Sequence, residues 1–383
     1  MRILHTSDWH LGRTLAQENL LDDQAHLLEQ VFDAVAAGGV DALIIAGDIF
    51  DRPNPRREAV ALFNDFLRRI YAETSTAIIA IAGNHDAPER VSFNSALQDP
   101  RRVLIRGPLS DRASPLVLDD RHGLVAFSAL PYSEVFAARE AFGEPGIASP
   151  ADVLAAQVAE ARQHVPAGAR WVLAAHAFVE GGRTTETERP LTQVGGIETV
   201  PAGAFDGAAY VALGHLHRAQ SAGSQHIRYC GSWMGFGFDE AGESKAMTLV
   251  DLDAAGGVTF EQLPLVSKRQ LRVINGPLEE VLRLGRNEGA AAAACLVKAI
   301  LTDEGALVDA IGQLRAVWPH VLQVERTQRI SLATVNGEIG VADRRDPMAM
   351  VGNFLEVVRG DRPDATEEKV LADALMIAET EKD

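Results

Sequence analysis

The sequence predicts a layered α/β domain, followed by a smaller α+β unit and two C-terminal helices. Three observations carry this reading. Arg2–Thr6, Asp41–Ala46 ("DALIIA") and Ala77–Ala82 ("AIIAIA") are short apolar runs, the pattern of strands buried on both faces. Between them, Glu18–Ala37 and Arg57–Tyr71 read as amphipathic helices. In the first, Leu20, Leu21, Leu27, Leu28, Val31 and Val35 recur at near-helical spacing. The resulting β-α-β-α-β rhythm is that of a layered sheet with helices on its face.

The remaining elements extend the pattern. Gly123–Ala129, Trp171–Ala175, Ala208–Leu213 and Ile227–Cys230 read as strands, with a helix at Ala151–His164. Met247–Asp251 and Val258–Leu263 read as an antiparallel pair about the turn "DAAGG". The pattern restarts after Ser267–Arg269: Gln270–Ile274, Pro277–Leu284, Ala294–Thr302, Leu307–Val317 and Val321–Arg326 read β-α-β-α-β. Met348–Val358 and Thr366–Ile377 read as helices, the second preceded by a capping box of Asp364 and Glu367. The expected divisions are 1–266, 267–340 and 346–383.

Composition narrows the function. No apolar run approaches the roughly 18–20 residues of a membrane span, and no basic segment precedes a long apolar one at the N-terminus. Neither membrane association nor a signal peptide is expected. Two cysteines, Cys230 and Cys295, do not make a disulfide framework, so a cytoplasmic location is expected. A net charge of −17 argues against a nucleic-acid partner, because phosphates select Lys and Arg. Bound divalent metals would reverse that sign locally. The first Lys is Lys245, so the basic residues ahead of it are all Arg, which suits bidentate phosphate contacts.

The apolar runs end alike. The first leads into Asp8-Trp9-His10, the second into "AGDIFD" with Asp48, and the third into "AGNHD" with Asn84 and His85. "WVLAAH" ends in His176, and "YVALGHLH" ends in His215 and His217. Ligands of open α/β sheets bind at the carboxyl ends of the strands. Asp, Asn and His gathered there offer mixed oxygen and nitrogen donors, which suit Mn²⁺, Fe²⁺ or Zn²⁺ better than an all-oxygen Mg²⁺ or Ca²⁺ site. Two-residue spacing in an extended segment places Asp8 and His10 on one side of the chain, and His215 and His217 likewise. Gly47, Gly83 and Gly214 let the backbone turn just ahead of these residues. Each motif alone reads as a cap or turn; the five together do not.

"DWHLG", "AGDIFD", "AGNHD" and "GHLHRAQ" followed by "YCGS" resemble the calcineurin-like metallophosphoesterases. More closely they resemble the SbcD family, the nuclease subunits of bacterial SbcCD DNA-repair complexes. The resemblance spans residues 1–265 by motif and the rest by layout. It implies a metallophosphoesterase sandwich with a capping DNA-binding domain and helices that dock an ATPase. It also implies two divalent metals, most commonly Mn²⁺. Carried over by motif, Asp8, His10 and His217 hold one metal. Asn84, His176 and His215 hold the other, Asp48 bridges both, and His85 is the catalytic histidine. His176 departs from the family in following Ala rather than Gly. Trp233 stands where the family commonly has Pro, and is expected to pack. Asp51 stands where archaeal and eukaryotic relatives have His.

The implied activity is DNA hydrolysis, exonucleolytic on double strands and endonucleolytic on single strands and hairpins, in repair, recombination and replication. The implied partner is an SbcC-type, SMC-like ATPase, and the chain itself has no G-x-x-x-x-G-K-[ST] segment. A homodimer within a heterotetramer is implied, with Arg90–Leu97 the candidate dimer segment. Arg13, Arg52, Arg56, Arg57 and Arg90 follow the site motifs and are candidate DNA contacts. His5, His26, His122, His164, His226 and His320 lie outside the pattern and are expected at the surface or as satisfied buried groups, His5 beside the ligands. The rival readings are a phosphatase or cyclic-nucleotide phosphodiesterase on the same fold, and a scaffold with an inactive site. "GNHD" in place of "GNHE", and a second domain that a small substrate does not require, argue against the former. The presence of every ligand type argues against the latter.

Overall fold

The computed structural model describes residues 1–93, 95–109, 113–188, 192–193, 196–197, 199–303 and 307–327, together with 348, 352, 355, 362–365 and 367–372. The chain divides into two compact units, Met1–Glu325 and Arg326–Asp383.

In the first unit, β1 (Arg2–Thr6), β2 (Ala42–Ile45), β3 (Ala77–Ile81) and β4 (Val103–Arg106) run parallel. Helices α1 (Leu21–Ala36) and α2 (Arg57–Glu73) connect the first three. A short helix α3 (Pro88–Val91) follows β3. The second sheet holds β5 (Leu116–Asp120), β6 (Gly123–Leu130), β7 (Arg170–His176), β8 (Tyr210–Gly214), β9 (Gln220–Ala222) and β10 (Ser224–Tyr229), with α4 (Val135–Phe142) and α5 (Pro150–Gln163) between β6 and β7. Strands β11 (Lys245–Leu252) and β12 (Val258–Leu265) return to the first sheet. The two orders are β12-β11-β1-β2-β3-β4 and β9-β10-β8-β7-β6-β5.

Alternation along each strand makes four layers. Ile3, Ala42, Ile44, Ile79 and Ile81 point from the first sheet toward Phe127, Val172, Ala174 and Ala212 of the second. The intervening residues Leu4, Leu43, Ile45, Ile78 and Ala80 point outward onto Leu27, Val31, Phe63 and Phe66 of α1 and α2. On the far side, Leu173, Ala175, Val211 and Leu213 meet Leu154, Val158 and Ala161 of α5. Every residue of β2, β3, β7 and β8 is buried, which is why these strands read as continuous apolar runs. Each large side chain so buried stabilises the fold by roughly 1.5–3 kcal/mol.

Several elements escaped the sequence pattern, among them the short α3 and β9 and three others. Strand β4 has only four residues, β5 ("LVLDD") is a half-exposed edge, and α4 buries only Ala138. The first helix begins at Leu21 rather than Glu18. Glu18–Asn19 instead pairs with Thr14–Leu15 across a turn at Ala16 and Gln17, both with positive φ, and Asn19 Oδ1 accepts from Leu21 N at 3.0 Å. His5 is fully buried between the sheets, its ring bonded to Tyr210 Oη at 2.8 Å and Leu213 O at 3.2 Å; burial lowers it to about 3.

Beyond Ser267, β13 (Gln270–Gly276), α6 (Leu278–Glu288), β14 (Cys295–Leu301), α7 (Ala310–Arg315) and β15 (Val321–Arg326) build the expected β-α-β-α-β module around Trp318, Leu314 and Val297. Leu271 and Leu296 of this module pack into the core under α1 and α2. Arg269 at the junction bonds both oxygens of the wholly buried Asp23, with Nη2 at 2.6 Å, and also Glu18 and the Asn19 carbonyl. Arg269→Ala removes the cation from a buried carboxylate and leaves it the backbone N–H of residue 269, 3.1 Å from Asp23 Oδ1, so it is expected to lower the unfolding free energy in urea by roughly 3 kcal/mol. A loss below about 1 kcal/mol would mean that water satisfies Asp23.

In the second unit, residues 365 and 367–372 are helical. The capping box forms as expected: Asp364 N donates to Glu367 Oε2 at 3.0 Å, and Glu367 N to Asp364 Oδ1 at 2.9 Å. Most of the helix expected at Met348–Val358, and residues 373–377 of the second, lie outside the described residues.

Candidate metal centre

The loops after β1 and β2 zip together. Asp8 N donates to Gly47 O at 3.0 Å, His10 N to Asp48 O at 2.9 Å and Leu11 N to Ile49 O at 2.8 Å. The expected extended geometry does not hold here. Asp8, His10, Asp48 and His215 have φ of +54°, +45°, +50° and +106°, four of the seven non-glycine residues with positive φ among those described. The chain coils tightly as it leaves each strand, and that coiling presents the side chains together. Such a conformation costs on the order of 1–3 kcal/mol per residue and persists only where surroundings enforce it. The glycines also divide in role. Gly47 turns the chain at φ +92°, as expected. Gly83 and Gly214 do not have positive φ; they make room instead, since a Cβ at Gly83 would overlap Asp48 Oδ1 and one at Gly214 would overlap the Ala46 carbonyl.

The structure brings all eight residues together. Nε2 of His10 and Nε2 of His217 lie 3.2 Å apart, and Asp8, His10 and His217 form one cluster of potential ligand atoms. Asn84 Oδ1 lies 3.0 Å from His176 Nε2 and 3.3 Å from His215 Nδ1. Asp48 stands between the two groups. Its Oδ2 is 3.7 Å from His10 Nε2, and its Oδ1 is 3.6 Å from His176 Nε2. His85 N donates to Asp48 Oδ1 at 2.9 Å, while the His85 ring turns its Nδ1 to the Asp51 carbonyl at 2.9 Å and its Nε2 to within 4.0 Å of Asp48 Oδ2.

Electrostatics fit cations. Burial, and then the Asp48 charge, holds the Asp8 carboxyl well above the usual carboxylate range. Burial, with adjoining rings and nearby cations, pushes His10, His215 and His217 well below the usual imidazole range, and burial lowers His176. Neutral rings offer lone pairs, and two carboxylates crowded in low dielectric lack compensating charge. Carboxylate, amide and neutral imidazole atoms aimed at a shared volume are the donors that divalent metals of borderline hardness prefer.

The arginines separate. Arg13 lies over the Phe236 ring at 4.8 Å and pairs with Asp51 at 3.3 Å; Arg52 pairs with Asp51 at 3.4 Å. Arg13, Thr14, Asp51, Arg52, His85 and Thr187 line an open cleft over the cluster. Arg56 and Arg57 are exposed at the start of α2, and Arg90, also exposed, lies 3.4 Å from Asn54; none of these three lines that cleft. Within Arg90–Leu97, Phe93 and Leu97 are strongly exposed. Trp233 packs: it stacks on Trp9 at 4.9 Å and 11°, and its Nε1 donates to Trp9 O at 2.9 Å.

Several supporting residues were not among the expected site residues. Asp86 accepts from Ile49 N, Phe50 N and Gly83 N at 2.9–3.1 Å and ties the second and third loops together, although burial pushes its carboxyl up to about 7. It directly follows His85, so "NHD" held the signal. Gln24 donates to Trp9 O and His10 O and accepts from Gly12 N, fixing the first loop. A polar letter on the apolar face of α1 was the available sign. Glu188 accepts from His217 N at 2.6 Å, and nothing in its local sequence marks it.

Two known families match the chain. The family model for calcineurin-like phosphoesterase matches residues 1–219, and the SbcD C-terminal model, described as the type 5 capsule protein repressor C-terminal domain, matches residues 267–359. The first match alone covers more than half of the chain and contains every residue of the cluster. The chain belongs to the calcineurin-like phosphoesterases, in the branch that carries the SbcD C-terminal domain.

Proposed function

We propose that this chain is a metal-dependent DNA nuclease, cutting double strands exonucleolytically and single strands or hairpins endonucleolytically, and acting with an SbcC-type ATPase in DNA repair. The observation that carries the reading is Asp48, whose two oxygens face two separate donor groups in a chain that also carries an SbcD C-terminal domain. Asp8, His10 and His217 would hold one divalent ion and Asn84, His176 and His215 the other, with Asp48 shared and Mn²⁺ the best fit to the mixed donors. Bound there, two such ions supply an activated water and charge neutralisation for in-line phosphodiester hydrolysis.

The protein's own residues do the rest. His85 lines the cleft and fixes one ring nitrogen on a backbone carbonyl, which leaves the other for proton transfer with the phosphate. Arg13 and Arg52 bring positive charge to the mouth of an otherwise acidic chain. The acidic total charge is no obstacle when the charge at the site is reversed locally. The SbcD C-terminal match at residues 267–359 supports assigning DNA binding to the module from 267 onward and ATPase docking to the C-terminal residues, in a chain that acts as a homodimer.

The test is hydrolysis of linear double-stranded DNA by the purified chain with Mn²⁺ or Mg²⁺, with and without an added SbcC-type ATPase. Nucleotide release that requires Mn²⁺ supports the reading. Turnover of p-nitrophenyl phosphate or a cyclic nucleotide, with DNA left intact under both conditions, would assign the site to a small-molecule phosphoesterase instead.

A further inference from the structure

A ligating imidazole works only with its lone pair on the nitrogen that faces the metal, and the hydrogen bond at the other nitrogen decides which tautomer is present. Two rings of this cluster are set by the backbone. His176 Nδ1 meets the Ala46 carbonyl at 2.9 Å and His85 Nδ1 the Asp51 carbonyl at 2.9 Å; each acceptor demands an Nδ1–H. His10 Nδ1 is buried without a hydrogen-bond partner among the described residues, with Asp51 Oδ1 3.9 Å away. His217 is different. Its Nδ1 lies 2.9 Å from Thr187 Oγ1, a group that can donate or accept.

What lies beyond Thr187 favours one direction. Thr187 Oγ1 is 3.3 Å from Glu240 Oε1, and a carboxylate only accepts. Thr185 Oγ1, at 3.2 Å, is a second hydroxyl that can take the Thr187 proton. With the Thr187 proton directed to Glu240 or Thr185, its lone pair faces His217. Glu240 is buried and anchored: Oε1 accepts from Phe236 N at 3.0 Å and Gly237 N at 3.2 Å, and Oε2 pairs with Lys245 Nζ at 2.5 Å. Lys245 Nζ also donates to His217 O at 3.0 Å, so the same ion pair grips the backbone of the residue whose ring it orients.

We propose that Thr187 and Glu240 are positioning residues that hold His217 in its Nδ1–H tautomer through a hydroxyl–carboxylate relay, leaving Nε2 as the free donor toward His10. The relay joins residues 187, 217 and 240, and side chains rather than backbone set the tautomer, so substitution can break it. It rests on the divalent-metal reading of the cluster and not on DNA as the substrate.

The experiment uses the full chain with ¹⁵N-labelled histidine and Mn²⁺ as the probe. In the metal-free protein, long-range ¹H–¹⁵N correlation is expected to show His217 protonated at Nδ1. Thr187→Val is expected to lose that preference and to bind one of two Mn²⁺ ions about 10- to 100-fold more weakly, the other unchanged. Thr187→Ser, which keeps the hydroxyl, is expected to restore both. An Nε2–H tautomer in the unsubstituted protein overturns the relay, and so does a Val variant with unchanged tautomer and affinities. Should the Val variant fail to fold, the unsubstituted protein's tautomer and the Ser variant decide. If the unsubstituted chain binds no Mn²⁺, the metal reading fails, while the tautomer measurement still reads the relay.

Discussion

Asp48→Asn is expected to strip the chain of both metal ions and to lower phosphodiester hydrolysis by at least about 10³-fold. The two oxygens of Asp48 face different groups, with Oδ2 toward His10 and Oδ1 toward His176, so one substitution weakens both proposed sites. Several kcal/mol of transition-state stabilisation come from metals in such a site, and each 1.4 kcal/mol is about a factor of ten. Asn keeps an oxygen that accepts from His85 N, so the loop after β3 retains its anchor. The substitution also removes a negative charge that raises the Asp8 and Asp86 carboxyls. The metal-free variant is therefore expected to be at least as stable as the metal-free parent, which separates loss of metal from loss of fold. Metal content after gel filtration, with thermal unfolding of both metal-free proteins, is the measurement. One tightly held ion per chain in the variant would show that the carboxylate is not shared.

The eight clustered residues were legible because a strand buried on both faces is an unbroken apolar run, and the first polar letter after it stands at the sheet edge. β2, β3, β7 and β8 all have this form. The same logic hid β4 and β5, which are too short or too alternating to stand out. How the ligands are presented was not legible. A positive φ at Asp8, His10 and Asp48 leaves no trace in residue type, because Asp and His are not glycine. The support was largely hidden too. Gln24, Thr187, Glu188 and Glu240 are polar letters that match no motif, and the contacts that tie them to the site reach far along the chain: Gln24 to His10 across 14 positions, Glu188 to His217 across 29 and Thr187 to Glu240 across 53. Tertiary contact alone gives them meaning. Among the arginines, following a motif in sequence did not mean reaching the cleft: Arg13 and Arg52 line it, whereas Arg56, Arg57 and Arg90 do not.

His85→Gln is expected to lower kcat by about 10²- to 10⁴-fold, the range for a positioned acid or base, and to leave metal content at two ions per chain. Two observations set this residue apart from the other histidines. It is the histidine of the cluster that lines the open cleft, and its Nδ1 is committed to the Asp51 carbonyl, so only Nε2 is available. A rival arrangement exists, because His10, Asp51 and His85 also lie close enough to hold an ion. Against it, Asp51 already has a cation on each side: Arg13 Nη1 lies 3.3 Å from Oδ1, and Arg52 Nη2 lies 3.4 Å from Oδ2. A third cation on that carboxylate would have to displace one of them. Gln fills nearly the same volume and can still donate to the Asp51 carbonyl, but it cannot carry a proton at neutral pH. Proton transfer is then the property removed, and the kcat loss should come without a matching rise in KM. Measuring kcat, KM and bound metal on the same preparation separates the alternatives. Loss of one ion with the activity would make His85 a ligand, and full activity would place the proton-transfer group elsewhere in the cleft.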